Sequence, residues 1–161
     1  LHLLRRNVEP VPRPGPGAVT LTRGRRRDRP AVLEIDAAAF PAFWRLDEAG
    51  LDDALSATPS VRFRVATAGG DEPLGYAVTG RAGNRGYLQR LAVDPARQRA
   101  GIATALISDA FGWLRRWGAR EVLVNTQEDN AGALALYEHL GFVRDDDGLA
   151  VLQRSLGRTK G

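Results

Sequence analysis

The stretch Leu91-Ala92-Val93-Asp94-Pro95-Ala96-Arg97-Gln98-Arg99-Ala100-Gly101-Ile102-Ala103-Thr104 reads as a strand, then a basic loop of small residues, then the first turn of an amphipathic helix. The first N–H groups of a helix have no intrahelical partner and lie at the positive end of its macrodipole, so an anion placed there is hydrogen-bonded and electrostatically favoured. Gly101, with Ala100 and Ala103 beside it, leaves that backbone uncovered, and Arg97, Gln98 and Arg99 add side-chain donors. The pattern predicts a turn that closes on a phosphate or pyrophosphate.

Regular elements extend from this turn in both directions. Upstream, Val61 to Ala68 alternates Val61, Phe63 and Val65 with Arg62 and Arg64, and Leu74–Thr79 and Tyr87–Val93 give two more strands, joined by Gly-rich turns into an antiparallel meander. Downstream, Ala103 to Trp117 carries an apolar stripe of Leu106, Ile107, Ala110, Phe111, Leu114 and Trp117 at helical spacing. Trp113 sits at the margin of the stripe, and both tryptophans are expected in the core. Gly118 ends the helix, Glu121–Thr126 reads as a strand, and a short helix follows from about Asn130 to Leu140 with Gly141 as its cap. Phe142–Arg144 and Leu149–Leu156 form a terminal hairpin in this reading, with Asp145-Asp146-Asp147-Gly148 as a solvated turn rather than a metal site.

Nearer the N-terminus, Pro30 opens a helix that runs to Phe40 and stops at Pro41, and a second helix spans about Asp47 to Ala57. Phe40, Phe43 and Trp44 lie between them, either as core or as the wall of a pocket. Pro10, Pro12, Pro14 and Pro16 predict an extended arm over residues 1–17, loosely packed, followed by a single domain over 18–157 whose first strand is Ala18–Thr22. The run Arg23-Gly24-Arg25-Arg26-Arg27-Asp28-Arg29 is either a solvated loop or a patch that holds the ribose phosphate of a cofactor or nucleic acid.

With 161 residues the chain is long enough for one hydrophobic core without staples. Without cysteine it has neither a disulfide nor a thiolate metal site, and His2 and His139 are isolated, so no metal is expected. The net charge of +4 favours anionic ligands. Nucleic acid is a competing partner on charge alone, but the arginines are dispersed and no nucleic-acid motif accompanies them. No apolar run approaches the ~20 residues that span a bilayer, and the N-terminal run is too short for a signal-peptide core, so a cytoplasmic protein is expected. The chain contains no methionine, position 1 included, which points to a natural start that lies upstream or was trimmed.

Gln98, Gly101 and Ala103, led in by Leu91, Val93 and Pro95, resemble the signature of the GCN5-related N-acetyltransferases. Asn130-Ala131-Gly132-Ala133-Leu134-Ala135-Leu136-Tyr137-Glu138-His139-Leu140-Gly141-Phe142 resembles that family's second hallmark, and its ribosomal-protein N-terminal alanine acetyltransferases most of all. The likeness covers roughly Val61 to Leu156. It implies an α/β (α+β) fold with a mixed central sheet of about six to seven strands flanked by about four helices. It also implies acetyl-CoA as cosubstrate, and transfer of its acetyl group to a primary amine, of a small molecule or a protein or peptide N-terminus, by direct attack in a ternary complex. A non-catalytic acyl-CoA sensor of the same fold is the alternative.

By the same resemblance, the backbone of Leu91, Ala92 and Val93 would bond the pantetheine arm, and Gln98, Arg99, Ala100, Gly101, Ile102, Ala103 and Thr104 would surround the pyrophosphate. Asn130 would fasten the pantetheine and Tyr137 would protonate the departing thiolate. On the residues alone, Asn130 caps its helix and Tyr137 is a core aromatic. The subgroup's glutamate base is replaced here by Asn125, which cannot accept a proton usefully. Glu128, Asp129, Asp36, Glu48 or a water held by Asn125 are the remaining candidates.

Overall fold

The computed structural model describes residues 1–15, 17, 19–146 and 148. Its strands are β1 (His2–Asn7), β2 (Thr20–Arg23), β3 (Ser60–Thr67), β4 (Gly75–Ala82), β5 (Arg85–Val93), β6 (Glu121–Thr126) and β7 (Val143–Arg144). Its helices are α1 (Arg29–Ala39), α2 (Glu48–Ser56), α3 (Ile102–Arg116) and α4 (Ala131–His139). The strands form one mixed sheet in the order β2-β3-β4-β5-β6-β1-β7. Only β5 and β6 are parallel, and α3 makes the crossover that a parallel pair requires.

Period-two alternation sorts the side chains of the middle strands onto two faces. Val65, Tyr76, Val78 and Ala92 point to one face and pack with Val32, Ile35 and Leu51 of α1 and α2. Ala66, Ala77 and Val93 point to the other and pack with Ile102 and Leu106 of α3. A third cluster joins Leu4, Leu88, Val122 and Val124 to Ile107, Phe111 and Leu114 of α3 and Tyr137 of α4. The sheet is therefore covered on both sides, by α1 and α2 on one and by α3 and α4 on the other. Among the described residues no helix is long and apolar enough to cross a membrane.

The expected meander, crossover helix and short final helix are all present, with ends displaced by one to three residues. The N-terminus departs from expectation. His2–Asn7 is a strand inserted between β6 and β7, in register from His2↔Thr126 to Asn7↔Glu121, and Leu4 is fully buried. The extended arm therefore cannot include these residues: the first proline is Pro10, beyond the strand, so nothing in His2–Asn7 interrupts a hydrogen-bond ladder. Trp117 also departs, being 59% exposed where a core position was expected. It is the residue just past α3, where the backbone leaves the helix and the stripe no longer faces the sheet. The expected strand Leu149–Leu156 lies outside the described residues; β7 pairs with β1.

Candidate active site at the diverging strands

β4 and β5 pair along their length, from Gly75↔Val93 to Ala82↔Arg85. The parallel β5–β6 ladder is shorter, covering only Arg85↔Glu121 to Leu88↔Val124. Past that level, Gln89–Val93 and Asn125–Thr126 have no ladder partner across the gap between the two strands. At the same level the β4–β5 register shifts, from Thr79↔Leu88 to Val78↔Arg90, so Gln89 is an extra residue in a β-bulge. Bulges bend and twist a strand, which accounts for β5 leaving β6 here. Sequence reading missed the bulge, although Leu88 and Leu91 share the α3 face at a spacing that strict alternation forbids.

At the end of β5 the chain turns through a 3-10 turn at Pro95–Arg97, capped by Asp94, whose Oδ1 accepts the Ala96 N–H at 3.0 Å. Arg99 and Gly101 then adopt left-handed backbone, with φ of 63° and 78°. A non-glycine residue there is uncommon, so the loop is shaped by its surroundings rather than by Arg99 itself. No side chain caps α3, and its first backbone bond is Ala105 N–H to Gly101 C=O at 3.0 Å. The amides of Ile102, Ala103 and Thr104 are consequently without intrahelical acceptors. Arg97, Gln98, Arg99 and Ala100 are exposed beside them. Leu91, Ala92 and Val93 lie on the unpaired stretch of β5 that leads into this turn.

Asn130 and Tyr137 are carried on α4, the helix that follows β6. Asn130 caps it: Oδ1 accepts the Ala133 N–H at 3.1 Å, and Nδ2 donates to Gln127 Oε1 at 3.3 Å. Tyr137 is 5% exposed and packs edge-on against Phe142, with ring centroids 5.4 Å apart. Its hydroxyl makes no hydrogen bond to another described residue, which leaves a donor at the tip of a buried side chain open to a ligand. Burial pushes its pKa above the ordinary phenol range, and the positive charge of Arg90 pulls it partly back.

The carboxylates proposed as bases are placed very differently. Asp36 is fully buried and committed: Arg90 donates to it through Nε at 2.7 Å and Nη2 at 2.8 Å, the Tyr76 hydroxyl at 2.5 Å, and the Leu46 N–H at 2.7 Å. With every lone-pair direction engaged, Asp36 has no room for the proton of an incoming amine, and that assignment is withdrawn. Arg90 also donates to the Trp44 carbonyl at 2.6 Å and lies 3.6 Å over the Phe40 ring. The Asp36–Arg90 pair thus clips the segment between α1 and α2 onto β5. Phe43, on that segment, is exposed and stacks edge-on against Trp44 at 4.9 Å. Glu48 is ion-paired to Arg29 at 3.2 Å and Glu128 to the amino group of Leu1 at 3.3 Å. Asn125, Glu128 and Asp129 are all exposed, at the end of β6 and in the loop beyond.

Tyr76 shares the upward pKa shift of Tyr137, from burial first and then from its bond to Asp36. A phenol whose pKa is higher folded than unfolded contributes stability below the unfolded value of about 10, and this is lost as pH rises towards the folded value. Denaturant midpoints measured from about pH 9 to about pH 11 are therefore expected to fall. The fall should be shallower in Tyr76→Phe, and an equal slope would dissociate it from Tyr76.

Residues 29–142, the span from α1 to just past α4, match the acetyltransferase (GNAT) family model. The chain belongs to the GNAT family. This GNAT chain is 46% identical over 61 residues to N-alpha-acetyltransferase 30 of Xenopus laevis, covering 38% of the chain and 22% of that protein. It is 30% identical over 154 residues to mycothiol acetyltransferase of Amycolatopsis mediterranei, covering 86% of the chain and 50% of that protein. It therefore spans about a fifth of the first relative's length and half of the second's. The GNAT fold superposes on the ribosomal-protein-S18-alanine N-acetyltransferase from Escherichia coli with a TM-score of 0.67 and 26% identity, over 77% of each chain. The α/β architecture expected of a GNAT protein is the one found.

Proposed function

We propose that this protein transfers the acetyl group of acetyl-CoA to a primary amine by direct attack in a ternary complex. The observation that carries the reading is the gap between β5 and β6, which runs straight into the uncapped N-terminus of α3. A pantetheine arm is an extended amide chain, and the free edge at Leu91, Ala92 and Val93 can bond it as an added strand. A backbone N–H of the same edge is available to polarise the thioester carbonyl. The pyrophosphate falls to Gln98, Arg99, Ala100, Gly101, Ile102, Ala103 and Thr104. Asn130 retains one amide hydrogen beyond its cap for the pantetheine.

In the step itself the amine nitrogen bonds to the acetyl carbon, the carbon–sulfur bond breaks, and the thiolate takes a proton from the Tyr137 hydroxyl, which regains one from the second proton the nitrogen sheds as it becomes an amide. The burial that raises the phenol pKa raises that of a thiolate beside it too, so the transfer stays close to balanced. The ammonium proton leaves through water held at Asn125, with exposed Glu128 nearby in sequence to collect it. Relatives named for a ribosomal-protein alanine and for mycothiol support keeping both protein N-termini and small amines as acceptors.

Acetyl-CoA is expected to stabilise the fold by about 2.7 kcal/mol at a hundredfold excess over its Kd. In a chain of this size that raises Tm by roughly 5–10 °C. Gly101→Val should abolish the rise, because Gly101 has φ of 78°, where a β-branched side chain is strained, and its Cβ would cover the phosphate turn. Thermal shift with and without acetyl-CoA checks both. A folded wild-type protein whose Tm ignores saturating acetyl-CoA would overturn the proposal.

A further inference from the structure

A recess of about 280 Å³ opens on the α1/α2 face of the sheet, floored by Leu55, Val61 and Phe63 and walled by Arg23, Arg25, Arg26 and Arg29. We infer that it binds a small organic anion, a carboxylate or phosphate carried on an aromatic or branched apolar body. It is separate from the β5–β6 gap: Phe63 is in cross-strand register with Arg90 through Val78, two strands and about 10 Å away. It also faces away from α3, so it does not serve the phosphate turn.

The segment bearing the arginines is a fixed turn. Gly24 N–H donates to the Phe63 carbonyl at 3.0 Å, Arg25 N–H to Asp28 Oδ2 at 2.7 Å, and Asp28 N–H to the Arg25 carbonyl at 3.0 Å. A Cβ on Gly24 would lie 2.3 Å from the Phe63 ring, so this backbone runs flat across the aromatic floor only because position 24 is glycine. Charge is compensated unevenly around the rim. Arg29 has Asp52 at 2.8 Å and Glu48 at 3.2 Å, and Arg27 has Asp28 at 3.9 Å. Arg23, Arg25 and Arg26 form no side-chain ion pair among the described residues. Three like charges around one concavity repel until an anion enters, and guanidinium forks match the geometry of carboxylate and phosphate.

The floor decides the rest of the ligand. An inorganic ion would leave Phe63, Val61 and Leu55 wet, whereas a ring removes their apolar surface from water. The volume is near the small end of the roughly 300–1,000 Å³ typical of small-molecule sites. A nucleic acid needs an extended basic track, and here the exposed carboxylates of Glu48 and Asp52 interrupt it.

The test is an NMR titration of the whole chain with phenyl phosphate, benzoate, inorganic phosphate and phenol, run with and without saturating CoA to separate this recess from the phosphate turn. Phenyl phosphate or benzoate is expected to shift the amide signals of residues 23–29 in both conditions, about tenfold more tightly than inorganic phosphate. Comparison of the two shows whether the anion is a phosphate or a carboxylate, and phenol is expected to leave the signals in place. Arg25→Ala combined with Arg26→Ala, both exposed positions, should weaken binding by about tenfold or more and leave the acetyl-CoA thermal shift unchanged. Inorganic phosphate binding as tightly as phenyl phosphate, an unaffected double variant, or an oligothymidylate displacing phenyl phosphate at lower concentration would each overturn it. Because the signal is read at residues 23–29, the result does not depend on the acetyl-transfer proposal.

Discussion

Asp36→Ala is expected to lower the unfolding free energy by about 3–5 kcal/mol, the cost of removing one partner from a buried ion pair. The carboxylate is fully buried and accepts two bonds from Arg90, one from Tyr76 and one from the Leu46 backbone. Its loss strands the Arg90 guanidinium without its carboxylate, facing the Trp44 carbonyl, the Phe40 ring and the Tyr76 hydroxyl. The charge, rather than the vacated volume, dominates the cost. Asp36→Leu combined with Arg90→Met, which removes both charges and keeps apolar bulk, should therefore recover most of the stability. Urea denaturation of the three proteins decides the matter: a loss under about 1 kcal/mol in Asp36→Ala would mean that the pair is not desolvated as described.

Tyr137→Phe is expected to reduce kcat by about 10²-fold while leaving acetyl-CoA affinity nearly unchanged. The ring keeps its contact with Phe142, so packing survives and only the hydroxyl is removed. If the residue serves packing alone, the substitution removes a hydroxyl that bonds to no described residue, and stability changes little. A kcat within about twofold of wild type would take Tyr137 out of the chemistry. Single-turnover rates belong beside the steady-state ones, since slow release of CoA would hide a slowed chemical step.

The elements that sequence reading placed well carry their own punctuation. Gly101 and Gly118 bound α3, whose apolar stripe has helical spacing, and Asn130 and Gly141 bound α4 in the same way. The loop that opens α3 with free backbone amides was legible because small residues announce their exposure. What escaped detection depends on partners distant in the chain. β1 is a strand because β6 and β7 receive it, and six residues beside a proline-rich segment carry no sign of those partners. Asp36 looked like a free acid for the same reason: Tyr76 and Arg90 lie 40 and 54 residues away. Which arginines of the run 23–29 have carboxylate partners was hidden likewise, since Arg29 meets Glu48 and Asp52 on another helix.

The bulge at Gln89 has a consequence for how this cleft is encoded. Removing that one residue would leave Leu88, Leu91 and Val93 on one face and Arg90 and Ala92 on the other, a pattern with no visible fault. The strand would nevertheless run straight, and β5 would zip onto β6 through the space that now separates them. The opening is thus written as a count of residues rather than as their identities. A chain shorter by one at this place would keep its core and its signature motif and lose its door.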